Sequence, residues 1–113
     1  MKPEQPKDDL TLRMLQTRVH QINIVNGWWE RDRNPYEMIA LMHSELSEAV
    51  EWLRIGDKQS DHIDASGCAE EMADCVIRIM DFCEGRGIDL QAAINAKLVF
   101  NEKRGYRHGG KHA

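Results

Sequence analysis

Several things are missing from this chain, and each absence narrows it. No stretch alternates apolar and polar residues for long enough to make a strand. No apolar run approaches the ~20 residues that cross a bilayer. The opening residues MKPEQPKDD are polar and carry no signal-peptide core. Cysteine is scarce: Cys68, Cys75 and Cys83 are odd in number and never spaced as CxxC. That excludes a disulfide framework or a zinc knuckle as the first reading and suits reduced, packed thiols in the cytoplasm. A glycine-rich phosphate loop is absent, so any phosphate must be held by side chains or metal. Positive charge is also short, at 15 Lys and Arg against 19 Asp and Glu, for a formal net charge of −4. Such a balance argues against a chain that coats a nucleic-acid polymer or an anionic membrane.

What is present suits one domain of 113 residues. Residues 1–8 read as a polar lead-in. A first helix, with Asp8 or Asp9 as cap, carries Leu12, Leu15, Val19 and Ile22 at helical spacing and ends near Asn26-Gly27. Residues 28–33, WWERDR, read as a loop. Asn34-Pro35 gives a start signal for a second helix, with Met38, Met42, Leu46, Ala49 and Leu53 as its buried stripe and a stop near Gly56. After a polar loop over 57–66, a third helix places Met72, Cys75, Val76, Ile79, Phe82 and Cys83 on one face and ends at Gly85 and Gly87. Asp89 can cap a fourth helix with Leu90, Ile94 and Leu98, and residues 105–113 form a basic, glycine-rich tail. The expected architecture is all-α, a four-helix domain over 9–104.

Two of these helices carry acids three residues apart: Glu45 and Glu48 in the second, Glu71 and Asp74 in the third. Residues at that spacing share a helix face. At about 100° per residue, Glu45 lies about 20° outside the expected apolar stripe and Glu48 about 60° further round, with Trp52 between them. Glu71 and Asp74 hold matching shoulder positions on the third helix, whereas Glu51 and Glu70 point to solvent. If the two pairs converge at ~4–5 Å, each carboxylate pair repels by about 3–4 kcal/mol at an effective dielectric near 20. A divalent cation converts that repulsion into ligation. An all-carboxylate set suits Mg²⁺, with Mn²⁺ as substitute, over zinc. The plain alternative is a solvated acidic flank. A di-iron bundle is excluded, because no histidine stands three residues after a glutamate.

Lys97, Asn101 and Arg104 form one face of the fourth helix, and Tyr106, Arg107 and His108 extend its edge. A lysine, an amide and an arginine in a column suit a polyphosphate; a basic helix end that complements the macrodipole is the plain alternative. Trp28, Trp29 and Trp52 are candidate stacking surfaces, and Trp52 reads equally well as packing at a helix edge.

The segments SELSEAVEW, EEMADCVIRIMDF and GIDLQAAINAKLVFNEKRGYRHGG, in that order, resemble the MazG-like all-α nucleoside triphosphate pyrophosphohydrolase superfamily. The family pattern ExxE, spacer, ExxD matches Glu45-x-x-Glu48 and Glu71-x-x-Asp74. Its K-x-x-x-N-x-x-R pattern matches Lys97, Asn101 and Arg104, and the likeness spans residues 34–108. The resemblance implies Mg²⁺-dependent hydrolysis of a nucleoside triphosphate to the monophosphate and pyrophosphate, with the four acids as metal ligands and catalytic groups. It implies that Lys97 and Arg104 hold phosphate, that Asn101 holds phosphate or sugar, and that the chain assembles as a homodimer or homotetramer. Trp52 and Tyr106 complete the expected substrate contacts. The chain departs from the family at Gly105, where proline often follows the arginine, and at Tyr106, which comes one residue late. Arg78 also stands where relatives can carry an uncharged residue; it reads first as a neutraliser of Asp74 or Asp81 and second as a nucleotide contact. dUTP or phosphoribosyl-ATP hydrolysis remain neighbouring activities. A non-catalytic nucleotide- or metal-binding bundle and a purely structural helical oligomer are the competing classes.

Overall fold

Each helix begins at a side chain that accepts the free N–H groups of its first turn. In the computed structural model, which describes residues 10–105, α1 spans Leu12–Val25, α2 Pro35–Arg54, α3 Gly67–Gly85 and α4 Leu90–Arg104. Asn34 Oδ1 accepts from Tyr36 N and Glu37 N at 2.8 and 3.2 Å, with Pro35 next in line. Asp89 Oδ1 accepts from Ala92 N at 3.0 Å, and Ser66 Oγ from Ala69 N at 3.1 Å. These starts agree with the expectation. The first helix differs: Thr11 Oγ1 accepts from Met14 N at 3.1 Å, so threonine is the cap, and Asp8 and Asp9 lie outside the described residues. The described residues contain no strand, only an isolated antiparallel bridge between Gln59 and Ser66. The architecture is all-α with four helices. No described helix is long and apolar enough to cross a membrane.

α3 is the central element. α2 runs antiparallel along it, with Cys75 Sγ donating to Met42 O at 3.6 Å and Trp52 lying on Gly67. α1 packs antiparallel on the C-terminal half of α3, and α4 packs on α1. The 57–66 loop is tied to the start of α3. There Asp57 Oδ1 accepts from Cys68 N at 2.8 Å, Ser60 Oγ bonds to Glu70, and His62 Nδ1 meets Glu70 Oε2 at 2.8 Å. Glu70 is therefore engaged and half-buried, not solvated as expected, whereas Glu51 is exposed beside Arg54.

The apolar stripes are only partly buried. Val19, Met38, Ala49, Cys75, Met80 and Cys83 form the buried apolar set. Leu15 and Ile22 of α1, Leu46 and Leu53 of α2, Met72 and Val76 of α3, and Ile94 and Leu98 of α4 were expected inside and are exposed. Among the described residues α2 packs chiefly on α3, and α4 chiefly on α1, so much of each apolar stripe meets no other helix. Cys68 is half-buried, Cys75 and Cys83 are buried, and all three are free thiols.

Polar joints carry much of the remaining cohesion. Gln16 is fully buried on α1. Its amide donates to Glu84 Oε1 at 2.9 Å and Ile88 O at 2.8 Å, and its oxygen accepts from Leu90 N at 3.4 Å. Glu84 also takes Arg13 Nη1 at 2.6 Å and Thr17 Oγ1 at 3.3 Å, while Arg13 N donates to Gln91 Oε1 at 2.8 Å. Two helices thus meet at one carboxylate, and α4 joins them through Gln16 and the Arg13 backbone. The Arg13 hydrogen bond, helped by Gln16 and Thr17, holds Glu84 below its ordinary 4.5. A carboxylate with a depressed folded pKa stabilises the fold above its unfolded pKa, and that contribution is lost as pH falls through the folded value. Glu84→Gln should lower stability at pH 7 by about 1–2 kcal/mol through its weakened charge-assisted bonds. The loss should shrink below about pH 4, as followed by thermal melting between pH 3 and 7.

Candidate metal centre

The interface between α2 and α3 buries acids. Glu45 is 7% exposed and Glu71 8%, so they sit inside the helix contact, which corrects the shoulder positions expected from the sequence. The buried arc of α2 is centred on Met38, Glu45 and Ala49, turned toward the acids relative to the expected stripe. Glu45, Glu71 and Asp74 each bring one carboxylate oxygen to within 4.8 Å of the others. Glu48, exposed one turn after Glu45, shares a cleft with Glu71. All four predicted acids are therefore gathered, three as a tight group and Glu48 through Glu71.

Burying this much like charge has visible consequences. Glu71 is raised from 4.5 to about 8, first by its hydrogen bond with the Glu48 carboxyl, then by burial and by the charges of Glu48 and Glu45. Asp74 is raised by burial and then by Glu45. Glu45 is held by Arg78, whose Nε lies 3.0 Å from Glu45 Oε1. This corrects the expectation that Arg78 serves Asp74 or Asp81: it pairs across the helix interface with α2, and acts on Asp74 only through its charge. The Oε2 atom of Glu71 is buried and has no hydrogen-bond partner. A buried orphan oxygen inside an all-carboxylate set fits a hard cation, and the Glu45–Glu71–Asp74 group can hold one.

Next to the acids opens a cleft of about 230 Å³, lined by Asn23, Trp28, Arg33, Met38, Glu45, Asp74, Ile77, Arg78 and Asp81. The sequence reading did not single out Asp81 as a site residue. It is 2% exposed and accepts from His20 Nδ1 at 2.8 Å, Trp29 Nε1 at 2.9 Å and Arg33 Nη1 at 3.2 Å. The only signal for it was its spacing, two turns after Asp74 on the same face. This joint clamps the 28–33 loop to α3. Trp29 is thereby committed to packing: its ring also meets His20 edge-on and lies where a Cβ on Gly85 would stand 2.4 Å away. Trp28 is 57% exposed on the cleft rim.

Trp52 packs on Gly67, where an added Cβ would fall 1.9 Å from the indole. The same ring borders a second cleft of about 250 Å³ with Glu48, Glu51, Ile55 and Glu71. Packing and proximity to the acids thus both hold for Trp52. Lys97 Nζ lies 4.3 Å and Arg104 Cζ 5.3 Å from the Phe100 ring centroid, and Asn101 Oδ1 is buried without a partner. None of these three lines either cleft that borders the acids, because α4 packs on α1. Within one protomer the structure does not bring the cationic face to the carboxylates. Tyr106 lies outside the described residues.

Compared with protein-family models, curated proteins and solved structures, the chain matches none.

Glu71 with a raised pKa binds its proton more tightly when folded, so stability without metal should fall as pH rises from about 4.5 toward 8. Glu71→Gln should remove most of that fall and melt above the wild type at pH 8 in EDTA. Melting curves at pH 5 and 8 check both signs.

Proposed function

We propose that the protein is a Mg²⁺-dependent hydrolase that converts a (deoxy)nucleoside triphosphate to the monophosphate and pyrophosphate. The observation that carries this reading is the gathering of Glu45, Glu71 and Asp74, with Glu48 beside them, around a buried and unpartnered Glu71 oxygen. The ordered likeness of Glu45-x-x-Glu48, Glu71-x-x-Asp74 and Lys97, Asn101 and Arg104 to MazG-like pyrophosphohydrolases supplies the reaction class.

Glu45, Glu48, Glu71 and Asp74 would hold the ion. When bound, it supplies charge neutralisation for a phosphate and acidity for a water. The chain's own groups do the rest. Glu71 gives up its proton as the site fills, because ligation needs the carboxylate. Glu48, the most exposed of the four, is placed to accept a proton at the mouth of the site. Trp52 offers an aromatic wall beside Glu48, suited to a base, and stacking of that kind is worth roughly 1–3 kcal/mol. Lys97 and Arg104 are assigned to phosphate and Asn101 to phosphate or sugar, reached from a neighbouring protomer, since α4 lines neither cleft beside the acids of its own chain.

Assays with a panel of nucleoside triphosphates, scoring monophosphate and pyrophosphate separately, test the reading. Glu48→Gln and Asp74→Asn should each abolish turnover with helical content intact, and wild-type-like turnover in both defeats it. Trp52→Ala should raise KM about tenfold with a smaller loss in kcat. Lys97→Ala and Arg104→Ala should lower kcat/KM alike for every base.

The same reading places the chain in a homo-oligomer. Large hydrophobic residues are more often exposed than buried, and Ile39, Leu46, Val50 and Leu53 form a continuous exposed stripe on α2. A second copy of the chain is the occupant proposed for that stripe, since a lone protomer buries too little apolar surface for an ordinary domain of this size. Sedimentation at micromolar concentration should show a dimer or tetramer. Leu46→Glu with Val50→Glu should shift it to monomer, and a stable wild-type monomer overturns the assembly.

A further inference from the structure

Among the described residues, Arg78 is the one cation placed directly on the candidate metal ligands. Its Nε donates to Glu45 Oε1 at 3.0 Å, across a helix interface where Glu45 is almost fully buried. Among the described residues its two terminal amino groups donate to no protein atom. They belong to a side chain that lines the cleft shared by Glu45, Asp74, Asn23 and Trp28. The other cation in that cleft, Arg33, is differently occupied: it pairs with buried Asp81 at 3.2 Å and lies over Trp28 and Trp29, at 5.7 and 5.3 Å from their ring centroids. One arginine is thus bound into the structure, and the other is held by a single bond to a metal-ligand candidate.

A guanidinium and a divalent cation cannot both use Glu45 Oε1 at full strength, because they repel each other through a part-buried, low-dielectric space. We infer that Arg78 is a displaceable counter-cation, neutralising Glu45 in the metal-free protein and released into the cleft as an anion-binding group when a divalent cation takes Glu45. Metal and anion binding are then linked through one side chain. Without metal, Arg78 is spent on Glu45 and the cleft is a poor anion site. With metal, its planar fork faces the cleft with its donors available, a geometry suited to a phosphate's paired oxygens. The anion class is a polyphosphate, the part of the substrate common to every base. The inference rests on the metal reading above and assigns Arg78 a part in ordered loading of ion before phosphate.

The test is calorimetry on the full chain, wild type against Arg78→Gln, with Mg²⁺ alone and then with pyrophosphate in saturating Mg²⁺. Arg78→Gln should bind Mg²⁺ at least about threefold tighter, because a competing charge is gone. It should bind pyrophosphate about tenfold weaker, the size of one charge-assisted hydrogen bond. Arg78→Lys keeps the charge but loses the fork and should recover only part of the pyrophosphate affinity. The opposite signs mark the device: a structural role would weaken both ligands together, and that result, or no change in either, overturns it. The Arg78 Nε–H resonance, identified by its disappearance in Arg78→Gln, should be slowly exchanging in EDTA and should shift and exchange faster on adding Mg²⁺. A resonance that ignores Mg²⁺ overturns displacement. If the wild type binds neither Mg²⁺ nor Mn²⁺, the metal reading falls and this one with it; cation binding with unmoved Arg78 variants overturns this inference alone.

Discussion

Like charge packed between α2 and α3 is the constraint to which the rest of the structure answers. A carboxylate pair at ~4–5 Å in a part-buried site repels by about 3–4 kcal/mol, which is a sizeable share of the ~5–15 kcal/mol that holds a domain together. Glu71 answers with a pKa raised to about 8, and Glu45 with the Arg78 guanidinium. Neither satisfies Glu71 Oε2. The group of Glu45, Glu71 and Asp74 could hold a metal ion instead.

Such a site can persist only if α3 is anchored elsewhere. Two buried polar joints do this on successive turns. Asp81 gathers His20, Trp29 and Arg33, and Glu84 gathers Arg13, Gln16 and Thr17. Both joints lie on the C-terminal half of α3, past the acids, with Asp81 bordering the same cleft, and they draw α1 and the 28–33 loop onto the helix. The two ends of α3 are each closed by a tryptophan lying on a glycine, Trp52 on Gly67 and Trp29 on Gly85. A methyl group at either glycine would collide with the ring, so these contacts fix the height of α2 and of the loop against α3. The cleft beside the acids is the space left between these clamps.

The helices themselves were legible in the sequence because their signals are local. Asn34-Pro35 and Asp89 supply caps whose hydrogen bonds reach only two or three residues, and the structure uses both. Threonine is a weaker capping signal than the acidic pair just before it, yet Thr11 accepts the bond from Met14 N. The three-residue spacing of Glu45 and Glu48, and of Glu71 and Asp74, was enough to place each pair on one helix face, since that depends on helical geometry alone.

Which faces turn inward was decided by the tertiary structure. A helical repeat gives angles between residues of one helix but not the bearing of its neighbour, so Glu45 is buried while Leu46, the next residue, stays exposed. Asp81 gave almost no warning, because its partners come from positions 48 to 61 residues away and meet only when α1 and the 28–33 loop fold onto α3. Arg78 could have served Asp74 one turn back on its own helix; the antiparallel register of α2 put Glu45 within its reach instead. Lys97, Asn101 and Arg104 share a face as their spacing required, yet that face stays apart from the acids within the protomer because α4 packs on α1. Sequence alone determined the helices and which acids travel together, since those follow from neighbours along the chain. The fold decided which charges meet, since that depends on how separate helices are set against one another.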